Sequence, residues 1–446
     1  MARWGQPKES GTPIPGLIRR NTLLLALSQA FTGAGMGLVY SIGPLMIVAV
    51  SGSAALSGLS VTLMGVSRFV IAYPVGRLTD MRGRKPAMLV GLACALVGAL
   101  MVGLATIGAI FPLLVVAFLI FGMGMNAAQQ LRVAAADMFP PSRRAEGLGY
   151  VLTGSLVGVL VSPSLVALAQ TMATSWGVDP LGVPWLLLPV LIVPGMVFVA
   201  LVRPDPKVIA QRLADYYPGY IPPQPTTQMG GSGPFGLRQF LANDARRLAV
   251  FANLGTQGNM AVVMVSSSLL LHQHGSSLSQ IAASSALHSF GMWAFALPIG
   301  RLADRLGRRL VLILGGSTAT VGAFVATQTS DFWPITVGAF LVGVGWCASN
   351  VGTTVVIADT TAPAVRGRAV GMNDSLSAAA NILVPLIAGP MGAIFGVPST
   401  GLLAVALMLG PLALLLTMDE PTPGVYGQHT AASTPRAAAG SEGDLA

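Results

Sequence analysis

Charge is scarce in this chain. Only 9% of its 446 residues are Asp, Glu, Lys or Arg, against about a quarter in a soluble domain. So few charges cannot clothe a water-facing surface, which excludes an ordinary soluble fold and leaves one covered by lipid. Cysteine is scarcer still. Cys94 and Cys347 both fall inside apolar runs, so neither a disulfide framework nor a paired-cysteine metal site is expected. The polar segments carry no nucleophile–base constellation and no phosphate-cradling glycine loop, which argues against an enzyme. The net charge of +9 would suit nucleic acid on its own, but the placement of the charges excludes that partner.

What is abundant is apolar sequence, 53% of the chain, with 54 glycines. A crossing needs about 20 mostly apolar residues. Twelve are legible, at roughly 22–49, 55–76, 86–107, 112–134, 146–170, 184–202, 248–271, 278–300, 309–328, 333–357, 369–393 and 397–417. The expected plan is all-α: a tail over 1–21, a six-helix half over 22–202, a central loop over 203–247, a second six-helix half over 248–418 and a disordered tail over 419–446. Lys and Arg set orientation. Of the 25, 23 fall in the two tails and in the loops after helices 2, 4, 6, 8 and 10, and none in the six opposite loops. Both termini are therefore expected in the cytoplasm of a bacterium, with the bilayer of its inner membrane as the first partner. Arg68 and Arg132 are the two basic residues left inside helices.

The halves repeat. Residues 69–80 read FVIAYPVGRLTD and residues 293–304 read WAFALPIGRLAD, an offset of 224. Six helices repeated in parallel is a transporter plan. The stretch from Gly76 to Lys85 resembles the major facilitator signature GxxxDRxGR[KR], departing only at Met81, and the copy from Gly300 to Arg309 matches throughout. The resemblance covers about residues 20–418. It implies a monomeric secondary transporter of a small substrate, without a cofactor. Gly76 and Gly300 are expected to let helices approach closely. Asp80 and Asp304 are expected to cap neighbouring helix N-termini, and Arg84 and Arg308 to pair with Asp137 and Asp359. In the family such clusters latch the outward-facing state, so these six charged residues are the gating candidates.

A substrate site in this plan lies between the halves near the midplane. Helix 7 carries Met260-x-x-x-Met264 and helix 8 carries His288-x-x-x-Met292. Spacing of i, i+4 sets each pair on one helix face, and thioethers with imidazole suit Cu(I). At offset 224 these four positions correspond to Met36, Tyr40, Met64 and Arg68 in the first half. Arg68 would repel a metal ion unless paired, and would suit an anionic or polarised organic molecule. Residues 255–310 are similar to the bacterial copper-importer branch of the superfamily, whose ligand motifs fall on Met260, Met264, His288 and Met292. Riboflavin transporters are relatives in that branch. The resemblance implies copper as cargo, with riboflavin uptake or proton-coupled efflux of drugs and metabolites as alternatives.

Overall fold

The computed structural model describes residues 13–140, 143–218, 220 and 236–420, apart from a few side chains, that of Asp304 among them. The expected disordered tail lies outside the described residues from 421 onward. Among the described residues every regular element is helical. Eleven helices have the length and composition to cross a membrane. The twelfth crossing, span 8, is made by two segments, Leu278–Ala294 and Ala296–Leu306, interrupted at Phe295.

Span 1 is also interrupted, running as Gly16–Thr32, Ala34–Ser41 and Gly43–Ser51. It starts earlier than hydropathy alone implies and takes Arg19 and Arg20 into its first turns. Span 2 is Leu59–Arg82 and span 3 Arg84–Ile107. Span 4 breaks at Gln129, between Phe111–Ala128 and Gln130–Asp137. Spans 5 and 6 are Arg144–Trp176 and Val183–Leu201. In the second half, span 7 is Asp244–Gln273, span 9 Arg308–Thr327, span 10 Phe332–Thr360, span 11 Pro363–Phe395 and span 12 Val397–Leu415. The stretch read as a plain central loop holds three short helices, Pro206–Gln211, Leu213–Tyr216 and Leu237–Leu241. Ile209, Leu213 and Tyr217 are buried there, so this segment is anchored to the bundle. Periodicity could not show it, because two of the helices are too short for an apolar stripe.

Glycine sets the closest helix contacts. A Cβ on Gly98 of span 3 would lie 2.4 Å from the Phe121 backbone of span 4, and one on Gly322 of span 9 would lie 2.5 Å from the Gly338 carbonyl of span 10. The two glycines stand at the repeat offset, so both halves use the same backbone-to-backbone packing. Span 7 is the most enclosed crossing, with 89% of its apolar stretch buried, and span 12 the least, with 22%. Span 7 therefore lies on the molecular axis and span 12 on the periphery.

The two halves meet away from the Lys/Arg-rich loops. The Thr62 hydroxyl of span 2 donates to the Ile382 carbonyl of span 11 at 3.2 Å, and the Ser268 hydroxyl of span 7 donates to the Tyr40 carbonyl of span 1 at 3.1 Å. A Cβ on Gly58 would lie 2.1 Å from the Pro385 carbonyl oxygen. Span 5 packs on the first segment of span 8. Towards the basic face the halves part. Nothing stands within 4 Å of a Cβ built on Gly76 or Gly300. This corrects the expectation that those glycines bring helices together. In this conformation no described residue of a partner helix stands against them.

Candidate functional site

At the basic face each half carries the same charged constellation. Arg84 at the start of span 3 meets Asp137 at the end of span 4, with Nε to Oδ2 at 3.0 Å, and its Nη1 donates to Gln130 Oε1 at 2.7 Å. Arg308 meets Asp359 at the ends of spans 9 and 10 in the same way, Nε to Oδ2 at 3.0 Å. All four side chains are about one-fifth exposed, so the pairs are shielded from bulk water while remaining at a surface.

The helix N-termini are capped by Asp205 and Glu420, and Asp80 does not take the expected capping place. The Arg84 and Lys85 amides donate to the Asp205 carboxylate at 3.1 and 2.8 Å. The Arg308 and Arg309 amides donate to Glu420, the latter at 3.0 Å. Asp205 follows span 6 and Glu420 follows span 12, so each half folds its last helix back onto the N-terminus of its third. A carboxylate there satisfies two orphan amides and faces the positive end of the helix. Gly83 and Gly307 precede these helices at φ 97° and 94°, and a Cβ on either would press against the capping carboxylate. Asp80 is exposed, and it is the carbonyl of Asp80 that is engaged, by Lys207 Nζ at 2.6 Å. The side chain of Asp304 lies outside the described residues. Sequence separations of 121 and 112 residues put these caps beyond any local signal. Asp205→Ala is expected to lower stability by about 1–2 kcal/mol, read as a drop in melting temperature, whereas Asp80→Ala leaves it unchanged.

Deeper in the spans, three contacts cross from one half to the other. Arg68 of span 2 stands 3.7 Å from Asp374 of span 11, with their side chains 49% and 53% exposed. The Arg132 guanidinium of span 4 lies over the Trp293 ring of span 8, 5.0 Å from its centroid. Tyr40 of span 1 is joined to span 7 through its carbonyl. Three of these residues are close to an interruption: Arg132 follows the break at Gln129, Trp293 precedes the break at Phe295, and Tyr40 precedes the break at Ile42. Broken helices are where membrane proteins expose backbone and polar groups to a cavity. Asp374 is the mate that Arg68 lacks in its own half. Trp293 carries no polar signal in the sequence to single it out.

The Met/His set is placed differently. Met260, Met264 and Met292 are 7%, 1% and 8% exposed and share one apolar cluster with Val and Ala side chains, nearly all of their own half, with Val61 from span 2. His288 is 1% exposed, and its Nδ1 bonds the Ala339 carbonyl at 2.7 Å. Ala339 belongs to that same cluster. A carbonyl only accepts, so Nδ1 carries the proton and Nε2 is left as a bare lone pair; Nε2 has no partner among the described residues. Met64 is buried and Met36 half-buried against a separate cluster built mainly from the first half. The five methionines of the C-terminal motif and its repeat therefore fall in two clusters. Tyr40 and Leu269 pack against both. Cys347 is buried in a third cluster, apart from the Met/His set.

The comparisons with known proteins agree with this architecture. The family model described as Major Facilitator Superfamily matches residues 25–244 and 248–439. The uncharacterized MFS-type transporter YdeG of Bacillus subtilis is 28% identical over 407 residues, covering 90% of this chain and 91% of its own. The riboflavin transporter RfnT of Brucella anthropi is 28% identical over 417 residues, covering 89% and 96%. Among solved structures, a bacterial homologue of the human lysosomal transporter Spinster, inward-facing and occupied, superimposes with a TM-score of 0.68 at 15% identity, covering 92% of this chain and 97% of its own. The inward open xylose transporter XylE of E. coli gives 0.66 at 15% identity, covering 91% and 97%. With nearly all of its spans under one family model and its whole fold shared with these transporters, the chain belongs to the Major Facilitator Superfamily.

Proposed function

We propose that this protein carries a small planar organic solute across the bacterial cytoplasmic membrane by alternating access, with its basic face in the cytoplasm. The observation that carries the reading is the half-exposed Arg68–Asp374 pair spanning the seam between the halves. A charged pair inside a bilayer span is costly and marks a substrate or ion path. Trp293, Tyr40 and Arg132 stand along the same seam, and aromatic faces with guanidinium groups suit a flat, polar ring system. The relationship to a riboflavin transporter supports the same class of cargo. Asp374 is also the acid best placed to exchange a proton during the cycle.

The gating charges act at the basic face. Arg84–Asp137 and Arg308–Asp359 hold the ends of spans 3–4 and 9–10 as rigid units, while Asp80 and Asp304 follow the open glycines Gly76 and Gly300 on spans 2 and 8. When this face closes, spans 2 and 8 lay those glycines and acids against spans 11 and 5 of the opposite half.

Copper remains a second reading, favoured by one observation: the bare Nε2 of His288 within a thioether-rich cluster is a soft ligand set. A metal would have to enter packing that is nearly closed to solvent. Uptake of labelled riboflavin and of labelled copper by the same expressing cells separates the two. The organic reading predicts riboflavin uptake that is reduced in Asp374→Asn and unchanged in Met260→Ala. Copper uptake lost in both Met260→Ala and His288→Ala, without riboflavin uptake, would contradict it.

A further inference from the structure

Among the described residues, the formal charges facing the seam within the spans are Arg68, Asp374 and Arg132. Arg68 and Asp374 offset one another. Arg132 has no carboxylate partner there. Its Nη2 has one long contact, 3.4 Å to the Ser155 hydroxyl, and its Nε is buried with no partner. Beside that contact it is supported by the indole of Trp293, which itself meets Trp346 edge-on at 5.5 Å. The site as it stands therefore holds two cations, Arg68 and Arg132, and a single counter-charge, Asp374. An unmatched guanidinium in a span is expensive to keep, and the seam is one negative charge short of neutrality.

We infer that the solute supplies that charge: it is a monoanion, a carboxylate on a planar ring, received by the free edge of Arg132 with its ring against the Trp293–Trp346 wall. This rests on the organic-solute reading and narrows it. A carboxylate takes a guanidinium edge through two parallel hydrogen bonds. A phosphate monoester brings about −1.5 to −2 charges at neutral pH and would overshoot. A neutral ring would leave Arg132 as it is.

The test is binding to the purified full-length protein, read by thermal shift and tryptophan fluorescence. The probes are benzoate and nicotinate, their neutral amides benzamide and nicotinamide, riboflavin, and flavin mononucleotide as the phosphate arm. The two carboxylates are expected to bind with dissociation constants of the order of a millimolar, at least about tenfold more tightly than their amides. Arg132→Gln removes that preference. Arg132→Lys keeps its sign with a smaller ratio, which separates a charge effect from misfolding. Equal binding of acids and amides, a carboxylate preference that survives in Arg132→Gln, tighter binding of flavin mononucleotide than of the monocarboxylates, or no response to either carboxylate would each overturn the inference. Riboflavin binding that is indifferent to Arg132 would leave the organic-solute reading standing while removing the charge. Copper uptake without any organic ligand would remove both.

Discussion

Neutralising either member of the Arg68–Asp374 pair is expected to cut transport by up to about fivefold, with the protein still folded and in the membrane. The pair is held at 3.7 Å between spans 2 and 11, so removing one charge leaves the other unmatched at the joint that must open and close. At 3.7 Å the contact is an ion pair rather than a hydrogen bond, and with both side chains half-exposed it contributes at most about 1 kcal/mol, which is about fivefold in rate. The double variant Arg68→Asp with Asp374→Arg keeps the bridge with its charges exchanged and is expected to recover part of the lost rate. Initial uptake rates, normalised to membrane protein, decide it. A double variant no better than the singles would mean that the two residues act on the solute separately rather than on each other.

Gly98→Leu is expected to abolish accumulation of folded protein, and Gly322→Leu to do the same from the other half. The space for a Cβ at Gly98 is already taken by the Phe121 backbone at 2.4 Å, and at Gly322 by the Gly338 carbonyl at 2.5 Å. Backbone cannot turn aside as a side chain can, so the helices must separate. Overpacking of this kind costs about 1–3 kcal/mol even where some relaxation is possible, and here several turns of helix contact are lost with it. Gly76→Leu is the control. It meets open space in this conformation, so folded protein is expected at normal levels while transport slows, because the leucine obstructs closure of the basic face. Fluorescence-detected size exclusion separates the folding defect from the transport defect.

Much of the fold was legible in the sequence, and the reasons are physical. A bilayer forces long apolar helices and sorts Lys and Arg to one face, so hydropathy and charge count recover the crossings. The repeat of GRLTD and GRLAD marks the two halves. Pairs between neighbouring spans were also readable, because Arg84 with Asp137 and Arg308 with Asp359 each join consecutive helix ends. Contacts closed by the three-dimensional arrangement alone were not. The Asp205 and Glu420 caps, the Arg68–Asp374 bridge and the seat of Arg132 on Trp293 all join elements far apart in sequence. The Met/His spacing does not tell which way those helix faces turn, and in this conformation the methionines are buried in an apolar cluster that also takes in Val61 of span 2.

The most direct test of alternating access around this seam is to tie the closed face shut. Thr62→Cys and Ile382→Cys stand on spans 2 and 11 where the halves touch, with the Thr62 hydroxyl 3.2 Å from the Ile382 carbonyl. Bridging the two cysteines with a short bifunctional thiol reagent, in a background with Cys94→Ser and Cys347→Ala, is expected to stop transport. The singly substituted proteins treated in the same way keep it. Undiminished transport by quantitatively bridged protein would contradict the account, because the solute would then be crossing without the halves parting at that face.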